Sequence, residues 1–270
     1  MSAPREGGRD PISALGAFVL AAVEDVGGYA RFTTTAVWGI LRPPYRARLM
    51  FKQMDFVGNQ SLSIVMITGL FTGMVFAVQS DYAFGMFGAR GLLGSTVMLA
   101  MTRELGPVLT SLMVNGRVGS AMAAELGTMR VTEQVDALES MAIDPIQYLA
   151  SPRIVASMIM LPILCATFDG VGALGVSWVA TQQLGVNPGP FFDRMQWFVD
   201  VDDILGGMFK SMVFGFILSS IGCYRGYYAR GGAEGVGQAT TKAVVASGVI
   251  ILIVDYFISL ILAPMSVNRS

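Results

Sequence analysis

Long apolar runs, each interrupted by at most one charged point, dominate the chain. The cleanest is Phe56–Ser80, 25 residues without a charge between Asp55 and Asp81. A bilayer core of ~30 Å takes about 20 apolar residues of helix, so this run is long enough to cross. Gly91–Gly116 is broken only by Arg103-Glu104, and Ile154–Phe192 only by Asp169. Ile204–Tyr224 is broken only by Lys210, and Ala243–Asn268 only by Asp255. The third run is longer than one span, and the turn-rich Gly185-Val-Asn-Pro-Gly-Pro190 marks its exit. The pattern predicts an all-α membrane protein with five transmembrane helices.

An earlier apolar stretch, Pro11–Val23, is too short to span. Glu24, Asp25 and Arg31 follow it, then a second patch ends at Leu41 before Arg42-Pro-Pro-Tyr45. This predicts a helix lying in the membrane interface. A secretory signal peptide is the competing reading, but Arg5, Glu6, Arg9 and Asp10 leave its first segment with no net positive charge.

Lys and Arg set the orientation. With the N-terminus in the cytoplasm, thirteen of them fall inside and only Arg90, Arg194 and Arg269 outside. The odd span count then puts the C-terminus outside. The outer loop before the fourth span carries Asp193, Asp200, Asp202 and Asp203 beside Trp197-Phe198, which reads as a short amphipathic cap.

Composition agrees and excludes several functions. The chain has 270 residues, 53% hydrophobic and 14% charged, against about 25% charged in a soluble domain. A net charge of −1 argues against a nucleic-acid binder. The absence of histidine removes zincin motifs, His-based triads and histidine haem ligation. Two cysteines, Cys165 and Cys223, build neither a disulfide framework nor a four-thiolate metal site. No phosphate-loop motif is present, and neither a cofactor nor a metal is expected.

The charges inside the spans carry the candidate chemistry. Each costs at least ~2.5–3.5 kcal/mol at mid-bilayer unless paired or wet. Arg103, Glu104, Lys210 and Asp255 are two acids and two bases able to pair at one level. They read either as a structural cluster or as the polar lining of a substrate path. Pro107 has no N–H, so the Arg103 carbonyl loses its helical partner, and Pro162 does the same to Met158. Small residues at four-residue spacing, Gly69/Gly73, Gly119/Ala123 and Gly215/Ser219, predict close helix packing.

Residues 117–153 are the most informative stretch. Val131, Val135, Leu138 and Ala142 share one helical face, with Glu133, Asp136 and Glu139 on others and Asp144-Pro145 as the stop. This predicts a short amphipathic helix over 131–145, able to lie in a partner's groove. Ser151-Pro152 reads as the start of the next helix, with Ser as N-cap.

The runs R-E-L-G-P at 103–107, G-R-V-G-S-A-M-A-A-E-L-G-T-M at 116–129 and E-Q-V-D-A-L-E-S-M-A-I-D-P at 133–145 resemble the MlaE/YrbE permease family. G-M-V-F-A-V-Q at 73–79, S-P-R at 151–153, Lys210-Ser211 and Val254-Asp255-Tyr256 are similar too. The resemblance runs from about Phe56 to Pro264. These are membrane subunits of ABC systems that move phospholipid between the two membranes of Gram-negative envelopes.

The resemblance implies a homodimer in the bacterial inner membrane with a cytoplasmic ABC ATPase as a separate chain. It also implies a periplasmic ring of MCE-domain subunits and, in some systems, a STAS-domain subunit. Phe76, Phe84, Phe87, Arg103, Glu104, Lys210 and Asp255 would contact lipid. Glu133, Gln134, Val135, Asp136, Leu138, Glu139, Met141 and Asp144 would belong to the helix coupled to the ATPase. The chain then divides into an N-terminal region, 1–55, and a five-helix permease domain, 56–268. The implied chain is not itself an enzyme.

Two other functions compete. An intramembrane lipid-modifying enzyme would need clustered acids, and Asp169-Gly170 stands alone. An ion-coupled secondary transporter predicts inverted repeats, which five unequal spans do not offer.

Overall fold

The computed structural model describes residues 11–43 and 47–267. The predicted contributions of Arg5, Glu6, Arg9, Asp10, Tyr45, Arg46, Asn268 and Arg269 lie outside the described residues. Every element is helical among the described residues: α1 (Pro11–Leu41), α2 (Ala47–Met86), α3 (Arg90–Val131), α4 (Gln134–Ser140), α5 (Ile146–Gln183), α6 (Pro188–Phe198), α7 (Val201–Tyr227) and α8 (Gly232–Val267). Five of these, α2, α3, α5, α7 and α8, are long and apolar enough to cross a membrane. Helix α2 runs unbroken through the 55/56 boundary.

Small residues bring the spans together. In α2, Val57, Ser61, Val65, Gly69, Gly73 and Ala77 recur at four-residue spacing and are buried. A Cβ at Gly69 would lie 2.8 Å from the Phe168 carbonyl of α5, and Gly73 faces Gly172 as closely. In α7, Gly215 fits over the Ser157 carbonyl of α5, and Gly226 over the Ala123 carbonyl of α3. With lipid outside, no hydrophobic drive holds such helices together. Backbone proximity and dispersion do so instead. Helix α8 packs on α7 and α3 and turns Val249, Leu252, Ile253, Phe257 and Leu260 outward.

Helix α1 is held by its second half. Phe32 and Ala36 are buried, Tyr29 hydrogen-bonds Ser220 at 2.7 Å, and Asp25 pairs with Arg225 at 2.7 Å. It is not among the helices apolar enough to cross. Packed on the end of α7 and the start of α5, it sits as an interfacial helix does.

One sequence expectation needs correction here, and the expected exit of the third span at Gly185–Pro190 holds. Helix α5 begins at Ile146, not at Ser151-Pro152. Asp144 Oδ1 accepts from the Ile146 N–H at 2.9 Å, so Asp144 caps the helix that follows it. Ser151 instead donates its hydroxyl to the Ala36 carbonyl of α1 at 2.8 Å. The third span ends at Gln183, and Phe192 belongs to the separate helix α6.

Candidate functional site

Helix α3 departs from regular winding where its charges lie. Met101–Leu105 forms a widened π turn, closed by the Gly106 N–H on the Met101 carbonyl. Such turns inside helices are frequent at functional sites. Pro107 follows at once and has no N–H to give the Arg103 carbonyl.

Lys210 of α7 takes up that carbonyl. It is 2% exposed, and its ammonium donates to Arg103 O at 2.9 Å, Glu104 Oε2 at 2.7 Å and Ser259 Oγ at 2.7 Å. Those bonds use its three donors. Asp255 Oδ1 stands 3.2 Å away as a second anion. Ser259 passes its own hydroxyl proton toward Glu104 Oε2 at 3.1 Å. One buried cation thus ties α3, α7 and α8 at a single level.

Arg103 does not join this cluster. Its guanidinium holds Asp203 Oδ1 through Nε and a terminal nitrogen, both at 2.7 Å. The sequence reading offered Asp255 and Lys210 as partners for the second-span pair and left Asp203 in the outer loop. Asp203 is instead buried in the first turn of α7. Its other oxygen accepts from the Asp200 N–H at 3.2 Å, completing a capping box. The Asp200-x-x-Asp203 spacing ahead of an apolar run is the signal that could have found it.

The cluster is not sealed. The Glu104 side chain is 47% exposed and that of Arg103 39%, although both sit at the middle of the apolar stretch 91–116. Among the aromatic candidates, Phe87 is 83% exposed just past the end of α2, Phe76 is exposed on α2, and Phe84 is half-buried against the core. Helix α2 packs chiefly on α5 and more lightly on α3. Asp81, unassigned from sequence, pairs with Arg90 across the turn at 3.1 Å. Asp169 lies buried against Gly106, with Cys165 Sγ at 3.7 Å.

The segment after α3 is shorter than expected. Thr132 and Glu133 break the helix, Glu133 in the left-handed region at φ 61°, and α4 spans only Gln134–Ser140. Ala142, at φ 57°, turns the chain again. Val135 is 0% exposed and Leu138 packs beside it on the protein's own core. Of the expected stripe, Val135 and Leu138 face inward, as the apolar face of a surface helix does, whereas Val131 and Ala142, outside α4, are exposed. Gln134, Asp136, Glu139, Met141 and Asp144 are exposed. Arg130 pairs with Asp136, and the Tyr227 hydroxyl of α7 reaches Glu139 Oε1 at 3.3 Å, so α4 is tied to both neighbouring spans.

Comparison with known proteins agrees with this architecture. A "Probable ABC transporter permease protein" of Rickettsia felis is 45% identical over 236 residues, covering 87% of this chain and 91% of the relative. The "Intermembrane phospholipid transport system permease protein MlaE" of Haemophilus influenzae is 40% identical over 215 residues, 79% of this chain and 82% of that one. The chloroplastic "Protein TRIGALACTOSYLDIACYLGLYCEROL 1" of Arabidopsis thaliana is 40% identical over 220 residues, 82% of this chain and 63% of that one. The family described as Permease MlaE matches residues 50–261, nearly all of the five-span bundle, and the chain belongs to that family.

Proposed function

We propose that this chain is the membrane subunit of an ABC-type transporter that moves phospholipid between two membranes. The observation that carries this reading is the half-exposed Glu104, held at mid-span by the buried Lys210. An ionised carboxylate facing hydrocarbon would cost several kcal/mol, so its open side belongs to a polar path. A path with charges at one level and apolar walls elsewhere suits an amphipathic cargo. The Haemophilus relative, named for phospholipid transport, favours lipid over an ion.

In this reading Glu104 and Arg103 meet the lipid head group, with Lys210, Asp255 and Asp203 holding them in place. Phe87 and Phe76, exposed near the other end of α2, meet acyl chains. Two copies of the chain enclose the path between them. The N-terminus lies in the cytoplasm and the C-terminus in the periplasm of an inner membrane, as the Lys and Arg distribution favours.

Work comes from an ATPase in another chain, because this one has no phosphate loop. The exposed side of α4 and of the turn after it, with Gln134, Asp136, Met141 and Asp144, is its seat. An MCE-domain ring on the outer side and a STAS-domain subunit on the ATPase complete the assembly. Affinity purification of the full chain from its native membrane tests this. An ABC ATPase should accompany it in stoichiometric amount. A chain that purifies without any ATPase, yet moves lipid, contradicts the reading.

A further inference from the structure

We propose that a cavity at the cytoplasmic mouth of the bundle, between α2 and α3, binds the zwitterionic head group of an aminophospholipid from the inner leaflet. The site is separate from the Glu104–Lys210 cluster and rests on the membrane orientation proposed above. The cavity has a volume of about 670 Å³ and is lined by Lys52, Gln53, Asp55 and Phe56 of α2, Glu125 of α3 and Arg153 of α5.

Its depth fits a head group. Phe56 opens the first apolar run, and Lys52 and Asp55 lie just before it. The cavity therefore straddles the level where hydrocarbon gives way to polar groups, with the Phe56 ring and Met129 at its apolar part.

Its hydrogen-bonding groups are incomplete in a specific way. Arg153 is 6% exposed; one terminal nitrogen donates to the Leu149 carbonyl and the other to Glu125 Oε2, each at 2.7 Å. Among the described residues its buried Nε–H has no partner, nor does the buried Oε1 of Gln53. Buried polar groups are as a rule paired, so two residues that line this cavity carry a spare donor and a spare acceptor. A ligand carrying an anion and a cation answers both.

Charge points the same way. Lys52 and Arg153 against Asp55 and Glu125 sum to zero. A site for a net-anionic lipid would carry an excess of Lys and Arg. Lys52 and Asp55, three residues apart, share a face of α2, and both are exposed and, among the described residues, without an ion pair. A phosphate near Lys52 and Arg153, with a primary ammonium near Asp55 and Gln53, uses every spare group.

The test is native mass spectrometry of the delipidated full chain. It is titrated separately with dioleoylphosphatidylethanolamine, dioleoylphosphatidylglycerol and free phosphoethanolamine. The first should be retained in preference to the second. Asp55→Asn and Lys52→Gln should each weaken its retention roughly tenfold, the loss of one charge-assisted bond. Thr128→Trp, at an exposed cavity wall, should block retention without removing a charge. Equal or better retention of phosphatidylglycerol overturns the proposal, as does wild-type retention by all three variants. Displacement of the lipid by equimolar phosphoethanolamine assigns the cavity to a soluble ligand and overturns it too. No ATPase enters this assay, so failure of the transport reading leaves its outcome unchanged.

Discussion

The Lys210 ammonium lies 2.9 Å from the Arg103 carbonyl, the one backbone acceptor that Pro107 leaves without a helical donor. Proline and lysine sit on different helices, yet they solve one problem. The cation needs acceptors inside a membrane, and the widened turn of α3 presents a spare carbonyl beside the Glu104 carboxylate. Removing the cation strands that carbonyl together with Glu104 and Asp255. Lys210→Met should therefore cost ~3–5 kcal/mol and lower the yield of folded protein sharply. Lys210→Met combined with Glu104→Gln and Asp255→Asn should recover much of that loss. Thermal unfolding of the purified variants measures both.

The inward apolar stripe of α4 separates two kinds of substitution. Val135→Asp would bury an unpaired carboxylate in the core and should unfold the cytoplasmic end of the bundle. Met141→Asp and Gln134→Lys change exposed groups outside the ties to α3 and α7, so they should leave insertion and melting temperature unaltered. They should, however, release the ATPase in pull-down. Full ATPase retention by both exposed-face variants would mean that α4 is not the seat.

The joint of α2 with α5 has no room for side chains. Gly73→Leu should force the two helices apart and destabilise the protein by several kcal/mol, the upper range for overpacking. Gly170→Ala, at a position with nothing within 4 Å, should leave the melting temperature within a degree or two. The difference between the two variants isolates close packing from helix propensity.

Phe87, 83% exposed, is the better lipid probe of the three aromatic candidates, because Phe84 rests partly on the core. A photo-crosslinking residue at 87 should capture phospholipid in intact cells, and one at 84 less of it. Capture of protein alone at both positions would place the acyl chains elsewhere.

Much of this was legible in the sequence because a bilayer imposes one length on every span. Five runs, each interrupted by at most one charged point, give five helices, and the small-residue spacings gave their contact faces. Pro107 announced a free carbonyl, but nothing local announced that Lys210, 107 residues away, would take it. Arg103 was matched to Asp255 and not to Asp203 for the same reason. Its partner Asp203 looked like a loop charge until the capping box put it in the first turn of α7. The stripe of Val135 and Leu138 was visible, but periodicity alone does not say whether an apolar face meets the chain's own core or a partner. The orphan donor and acceptor near Arg153 were beyond sequence altogether, since they depend on which atoms pair across three helices.

ATP-driven lipid movement in proteoliposomes containing the full chain and its ATPase tests the central claim most directly. Wild-type complex should transfer labelled phospholipid only when ATP is hydrolysed. Glu104→Ala should insert, bind the ATPase and hydrolyse ATP, yet transfer at least tenfold less lipid, since the loss falls on the cargo path and not on the fold. Transfer by Glu104→Ala at the wild-type rate, or wild-type transfer that proceeds equally without ATP, would contradict the account.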